Sequence, residues 1–176
     1  MRYLQRRPRR FISLSDPKSS PLGEPRVRPL EVRTAEEWLA QTKSAAKETE
    51  IVKHPTESRL VTAYAAWRRE RTGKEVLIRH ELRTSADSVL LTDAFDTSKK
   101  LLLEAKATTE RPAIRMAIGQ LLDYSLWAPK GAGLAILVPR MPSDDLIKVA
   151  ALANIQVVWQ LPNGDFDDTA GGTLSA

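Results

Sequence analysis

The spacing of apolar residues divides most of the chain into segments with helical or strand periodicity. Apolar residues three or four positions apart mark four predicted helices, at residues 34–50, 55–73, 112–127 and 143–153. Five shorter segments alternate or are continuously apolar, as strands are, at 76–83, 89–95, 100–107, 134–138 and 155–161. This order of elements predicts an α/β fold in which a mixed central sheet is flanked by helices.

Local signals set several of these boundaries. Thr34 and Glu37 have the spacing of a capping box, which predicts a helix start. Pro55 is tolerated in the first turn of the second helix, and Gly73 is suited to its end. Short turn-forming stretches separate the first three strands, so we expect a meander, whereas the apolar run 134–138 is typical of a buried parallel strand.

Residues 1–33 show neither helical nor strand periodicity, and their composition differs from that of the rest of the chain. They hold nine basic and three acidic residues and five of the 11 prolines. Their net charge is +6, so the other 143 residues carry −1 of the total +5. We interpret 1–33 as a largely disordered basic arm or linker, whose arginines either contact phosphates or are solvated. Residues 163–176 are predicted to be a flexible tail, which leaves one domain at 34–162.

The composition excludes several kinds of chemistry. The 176 residues include no cysteine, so the chain has no disulfide, no thiolate nucleophile and no cysteine zinc site. No apolar run approaches the ~20 residues that span a bilayer, and no apolar signal core follows the arginine-rich start. These features predict a cytoplasmic protein without membrane contact. The net positive charge suggests an anionic partner, with nucleic acid as the first candidate.

Two neighbouring strands carry carboxylates at positions where apolar residues are expected. By the two-residue period, Asp93 shares a strand face with Phe95, and Glu104 shares one with Lys106. A short hairpin would bring Asp93 alongside Glu104. Asp96 has the opposite parity, and we expect it to be a solvated turn residue.

Two converging carboxylates form the kind of oxygen-rich cleft that Mg²⁺ prefers. Lys106 would return to the same cleft, where its ammonium group could orient or deprotonate an attacking water and offset phosphate charge. Two carboxylates, a bound metal ion and a lysine are suited to the hydrolysis of phosphodiester bonds. A Glu-x-Lys triplet alone is weak evidence, because exposed edge strands often alternate these residues.

Together with a later helix, these residues resemble the PD-(D/E)xK nuclease superfamily. The resemblance rests on Asp93, on the triplet from Glu104 to Lys106, and on Gln120 and Tyr124, whose Gln-x-x-x-Tyr spacing is similar to that of the recombination-exonuclease branch. It covers residues 55–159. Thr92 stands where the family name has proline.

The resemblance implies a restriction-endonuclease-like core with the order α-β-β-β-α-β. It also implies that Asp93, Glu104 and the carbonyl of Ala105 hold Mg²⁺, for which Mn²⁺ could substitute, and that Lys106 positions the attacking water. Gln120 and Tyr124 lie four residues apart, on one stripe of their helix, so both could reach the cleft and hold the nucleic-acid strand. Their alternative role is local hydrogen bonding.

Further candidates lie on the helices. Arg111 and Arg115, near the start of the third helix, could contact phosphates or be ordinary surface residues. Glu57, in the first turn of the second helix, could face the metal site or simply stabilise the helix dipole. His80, on an apolar strand face, is more often a core residue than a base. The four tryptophans are predicted to pack in the core: Trp38, Trp67, Trp127 and Trp159.

The function that best accommodates these features is a Mg²⁺-dependent DNA endonuclease, for which the resemblance makes restriction or another anti-invader defence the commonest setting. One alternative is a catalytically inactive nucleic-acid-binding or assembly module of the same fold. Another is a DNA repair or junction-resolving nuclease, which would use the same chemistry. Cutting both strands requires a homodimer or two sequential events, and the chain could also be part of a larger multidomain protein.

Overall fold

The computed structural model describes residues 26–31, 34, 36, 37, 40, 55–84 and 88–174. Eight strands form one mixed sheet, and three helices are described over their full length. The strands are β1 (Arg26–Glu31), β2 (Leu77–Arg83), β3 (Val89–Leu91), β4 (Ala94–Asp96), β5 (Leu101–Ala105), β6 (Gly133–Val138), β7 (Gln156–Gln160) and β8 (Phe166–Asp168). The helices are α1 (Pro55–Thr72), α2 (Arg111–Ser125) and α3 (Asp144–Leu152). The predicted α/β class with a mixed sheet is therefore confirmed.

The strand order is β1-β2-β4-β5-β6-β7-β8, and β3 also pairs with β2. The meander from β2 to β5 is antiparallel, whereas β6 is parallel to both β5 and β7. Helices α2 and α3 provide the crossovers between these parallel strands. Most predicted elements lie within two residues of the observed bounds, as expected for strongly periodic segments.

Strand β5 is central because both of its faces are covered. Leu101, Leu103 and Ala105 belong to the apolar cluster that includes α1. Leu102 belongs to the other cluster, which includes α2 and α3. All five residues of β5 are buried, so the charged Glu104 lies in the interior on a strand that solvent does not reach.

Helix α1 begins and ends where the sequence predicts. Gly73 has a φ of 67° and donates its N–H to the carbonyl of Arg69 at 2.8 Å, which closes the helix with a left-handed residue. The capping box of the predicted helix 34–50 is also present, because Thr34 and Glu37 exchange backbone-to-side-chain hydrogen bonds of 3.2 and 3.1 Å. Residues 36, 37 and 40 are helical, and the other residues of that predicted helix, including Trp38, lie outside the described residues.

The basic arm contains a strand that we did not predict. Residues 26–31 form β1, which pairs antiparallel with the edge of β2, and Pro29 lies opposite His80. A proline is tolerated on an edge strand because its missing N–H can point away from the sheet. The partner strand is about fifty residues away along the chain, so local periodicity does not reveal the pairing.

The predicted flexible tail is likewise wrong where the structure describes it. Residues 166–168 form β8, which pairs antiparallel with β7. The Asp168 carboxylate then accepts hydrogen bonds from the backbone N–H groups of Ala170, Gly172 and Leu174. These bonds fix the turn that follows β8.

Asp96 also corrects a prediction, because it is fully buried rather than solvated. Its Oδ2 accepts a 2.8 Å hydrogen bond from Nε of Arg68, a residue of α1 that is itself buried. Its Oδ1 accepts hydrogen bonds from Ser98 and from the Lys99 N–H. The carboxylate is stable in the interior because hydrogen-bond donors and a cation surround both of its oxygens.

The prediction that the tryptophans pack in the core is confirmed for Trp67, Trp127 and Trp159. Trp67 also donates its indole N–H to Asp165 at 2.8 Å, while the Arg71 guanidinium lies 3.8 Å from its ring centroid. In the described part of the chain, no helix combines the length and the apolar character needed to cross a bilayer.

We predict that the buried Arg68–Asp96 pair is essential to the fold. Arg68→Met leaves the Asp96 carboxylate buried without its cation, which should lower the free energy of unfolding by about 3–5 kcal/mol. The control is Arg69→Met, which removes an exposed pair with Glu75 and should cost less than about 1 kcal/mol. Urea unfolding of the two variants measures the difference, and equal losses would contradict this role.

Candidate active site

The first feature of the site is a bulge between β3 and β4. Glu81 pairs with Leu91 and Ile78 pairs with Phe95. Residues 79 and 80 of β2 therefore lie opposite the three residues 92–94 of the neighbouring segment. The inserted residue lies at 92–94 and interrupts the predicted continuous strand 89–95. A β-bulge of this kind bends the strand and redirects a side chain.

Thr92 satisfies the backbone groups that the bulge would otherwise leave unpaired. Its hydroxyl accepts the His80 N–H at 2.8 Å, and its own N–H donates to the His80 carbonyl at 3.0 Å. A proline at this position could not make the second bond. The Thr92 carbonyl accepts a 2.7 Å hydrogen bond from Nε of Arg79.

The bulge turns the Asp93 side chain towards β5. The regular pairing of β4 with β5 ends at Ala94 and Leu103, and two residues later the Ala105 N–H donates to Oδ2 of Asp93 at 2.8 Å. A side-chain carboxylate thus occupies the place of a backbone acceptor. Asp93 is fully buried and lies beside the strand that carries Glu104, as the hairpin predicts.

Glu104 and Lys106 form a buried ion pair at the carboxyl end of β5. Lys106 Nζ lies 2.7 Å from Oε1 of Glu104, and the two residues are 6% and 0% exposed. The Lys106 backbone N–H also donates to the Leu137 carbonyl of β6 at 2.9 Å, which fixes the start of its side chain. The lysine is therefore held against the carboxylate by backbone and side chain together.

Arg79 is the member of the site that sequence reasoning missed. It is only 1% exposed, and burial lowers its pKa to about 10, opposed by the charges of Asp93, Glu104 and Tyr124. It therefore remains cationic at neutral pH. The alternation of polar residues along β2 predicts that one face of this strand is exposed. The prediction is correct for Glu81 and Arg83, whose charged groups lie 3.8 Å apart near the surface. Arg79 differs because the bulge lies opposite it.

Glu57 reaches the same end of β5 from α1. Its carboxylate is buried, and Oε1 accepts the Ala107 N–H at 3.4 Å. The predicted acidic residue on this helix thus lies next to the residue that follows Lys106. Among the residues that the structure describes, no three His, Asp or Glu side chains form a group that could hold a metal ion, so the metal-ligand candidates are the pair Asp93 and Glu104.

Gln120 and Tyr124 approach the cluster from α2. Tyr124 is 3% exposed, and it lies near enough to Arg79 to influence the pKa of that guanidinium. Oε1 of Gln120 is buried and accepts no hydrogen bond from the described residues. Tyr124 is thus packed in the interior, whereas Gln120 is partly buried one turn earlier on α2.

The two predicted phosphate-contact arginines lie elsewhere on α2. Arg111 and Arg115 are both exposed near its start. Arg111 forms an ion pair with Asp145 of α3, and hydrogen bonds from Ser143 and Arg111 lower the pKa of that carboxyl. The Arg111 charge is therefore already balanced, which weakens its predicted role as a phosphate contact.

His80 is a core residue, as expected for an imidazole on an apolar strand face. It is 4% exposed, and its ring lies 4.5 Å from that of Phe95. Desolvation by burial lowers its pKa below 6.5. No described residue donates to or accepts from its Nδ1.

No family model matches the chain, and neither a curated protein nor a solved structure shows significant similarity to it.

We predict that the hydroxyl of Thr92 holds the bulge. Thr92→Val leaves the buried His80 N–H without an acceptor and should lower the free energy of unfolding by about 1–3 kcal/mol. Thr92→Ser keeps the hydroxyl and serves as the control. Urea unfolding measures both variants, and a valine variant as stable as the serine variant would contradict the prediction.

We also predict a stability loss in mild acid that depends on His80. Its pKa is lower in the folded than in the unfolded state, so its contribution is present above pH 6.5 and decreases as the pH falls below that value. The decrease is at most about 1.4 kcal/mol per pH unit. His80→Phe removes the titrating group but keeps an aromatic ring against Phe95.

Urea unfolding at pH 7.5 and 5.5 should therefore show a larger loss for the wild-type protein than for His80→Phe. The carboxylates contribute equally to both proteins, so the difference isolates the imidazole. Equal losses would show that His80 is protonated as easily in the folded state as in the unfolded chain.

Proposed function

We propose that this protein is a divalent-metal-dependent nuclease that hydrolyses phosphodiester bonds in DNA. The observation that carries the proposal is the convergence of two fully buried carboxylates, Asp93 and Glu104, with the buried cations Lys106 and Arg79 at one end of β5. Charges are costly in an interior, so four of them in one place point to a site rather than to ordinary packing.

The order of elements supports the same proposal. From α1 onward the chain runs helix, strand, bulged strand, strand, helix, strand, with β6 parallel to β5. This is the order that the restriction-endonuclease-like core requires. The carboxylates lie on the second and third of these strands, where the resemblance to PD-(D/E)xK nucleases expects them.

The residues present fit a magnesium ion. Mg²⁺ is usually held by one or two carboxylates and keeps several waters, so the buried pair is a sufficient protein ligand set. Asp93, Glu104 and the Ala105 carbonyl would hold the ion, or Mn²⁺ in its place. When bound, the metal would polarise the phosphoryl group and neutralise the charge that develops on it.

Lys106 is the residue best placed to act on the attacking water. Its Nζ is fixed beside Glu104 at 2.7 Å. A lysine ammonium group can donate to a water or to a phosphate oxygen, and its proton can be withdrawn when its surroundings favour the neutral amine. Glu104 would hold this group in position.

Charge balance suggests that metal and DNA bind together. Asp93, Glu104 and the nearby Glu57 are formally balanced to within one charge by Arg79 and Lys106, and a divalent ion adds two positive charges to this set. The phosphodiester backbone of DNA supplies the negative charge that offsets them. Gln120, which is partly buried on α2, would orient the strand with its side-chain amide.

The same balance favours one alternative function. Because Arg79 and Lys106 already neutralise both carboxylates, the cluster could be a purely structural network in an inactive nucleic-acid-binding module. A DNA repair or junction-resolving enzyme would differ in substrate shape and not in these residues. Defence against invading DNA is the setting that the resemblance favours.

The test is cleavage of DNA by the purified full chain. Supercoiled plasmid, linear duplex, single-stranded DNA and RNA are incubated with Mg²⁺, with Mn²⁺ and with EDTA. We expect metal-dependent cleavage of DNA that Asp93→Asn, Glu104→Gln and Lys106→Gln each reduce by at least about a hundredfold.

Matched controls are Asp123→Asn and Lys148→Gln, which remove the same charges from exposed helical positions. Their activity should equal that of the wild-type protein, and thermal unfolding checks that every variant is folded. Cleavage that persists in the site variants would refute the assignment. Binding of DNA without any cleavage would favour the inactive module.

A further inference from the structure

Arg79 occupies an unusual position for a strand arginine. It lies in the middle of β2, which pairs with β1 on one side and with β3 and β4 on the other. Its side chain is 1% exposed, and its Nε donates to the Thr92 carbonyl at 2.7 Å. The guanidinium is therefore anchored to the bulge itself.

The charged groups of the candidate site also influence this guanidinium. The carboxylates of Asp93 and Glu104 favour its charged form, and they come from the bulge and from β5. An arginine fork carries five donors in a fixed plane and can hold several acceptors at once, which a lysine cannot do. The observed hydrogen bond to Thr92 connects β2 to the bulge.

A guanidinium so deeply buried does not contact a DNA strand in this structure. Its effect is on Asp93, because the carbonyl that it holds belongs to Thr92, the residue immediately before Asp93. Asp93 in turn accepts the Ala105 N–H, next to Glu104. A continuous set of contacts therefore runs from Arg79 through the bulge to both carboxylates.

We propose that Arg79 is the positioning residue of the candidate active site. It fixes the bulge through Thr92 and holds Asp93 and Glu104 together before any metal or DNA arrives. Its importance for catalysis rests on the proposed nuclease function, whereas its effect on the geometry of Asp93 does not.

The chain offers a matched control in Arg68. It is also fully buried, and its Nε also donates one short hydrogen bond, to Asp96 at 2.8 Å. Its partners are Asp96, at the far end of β4 from Asp93, and Ser98 in the turn that follows. Arg79→Lys and Arg68→Lys both keep the positive charge and lose the fork.

The experiment reads the Asp93 geometry directly through the Ala105 amide. In ¹⁵N-labelled full chain, we expect Arg79→Lys to shift this amide resonance and to increase its hydrogen-exchange rate about tenfold, because its acceptor is no longer held. Arg68→Lys should leave both unchanged even if it lowers the melting temperature as much. Equal effects of the two variants on Ala105 would overturn the proposal.

A second measurement uses the wild-type protein and does not depend on any variant folding. On addition of millimolar Mg²⁺, the Arg79 Nε–H and the Ala105 amide should shift with a common midpoint, while the Arg68 Nε–H stays in place. Shifts of Ala105 without a shift of Arg79 would show that the arginine is not coupled to the carboxylates and would overturn the proposal.

Calorimetry with Mn²⁺ and the cleavage assay complete the test. Arg79→Lys should weaken Mn²⁺ binding and slow cleavage by about 10–100-fold, as is usual for residues that support metal ligands, with the loss in kcat and not in KM for DNA. If the wild-type protein binds no metal and cleaves no DNA, the nuclease function fails. A selective Ala105 effect of Arg79→Lys would then still support the positioning role.

Discussion

The cost of burying charge controls the structure around β5. Asp93 and Glu104 lie where water does not reach, and an isolated carboxylate cannot remain ionised in such a place. The fold meets this cost with an amide for Asp93 and with Lys106 for Glu104, and it adds Arg79 as a further cation. The bulge, the end of the β4–β5 ladder and the position of Lys106 are all consistent with this requirement.

A second buried pair on the other side of the sheet shows the same physics without a site. Arg68 and Asp96 face each other under α1, with Ser98 and the following turn supplying further donors. That carboxylate meets one arginine and several local donors. Asp93 and Glu104 differ because two buried carboxylates lie on neighbouring segments, one accepting the Ala105 amide and the other paired with Lys106. Two adjacent buried carboxylates are therefore the stronger indication of chemistry.

The sequence was informative wherever structure depends on neighbours along the chain. Apolar periodicity predicted α1, α2 and α3, the parallel β6 and the strand β5, and the parity of β5 placed Glu104 and Lys106 together. It failed for Asp96, because a polar residue at the end of a strand is usually solvated. It also failed for β1 and β8, whose pairing partners, β2 and β7, determine their conformation.

The sequence by itself therefore determined the order of the elements, the candidate carboxylates and the lysine that returns beside them. Only the tertiary structure decided that one inserted residue forms a bulge and that Arg79 joins the site through it. The physical reason is that strand periodicity describes one strand at a time. The register between β2 and its partners β3 and β4 is a property of two segments of the chain. This register places Arg79 opposite the bulge that carries Asp93.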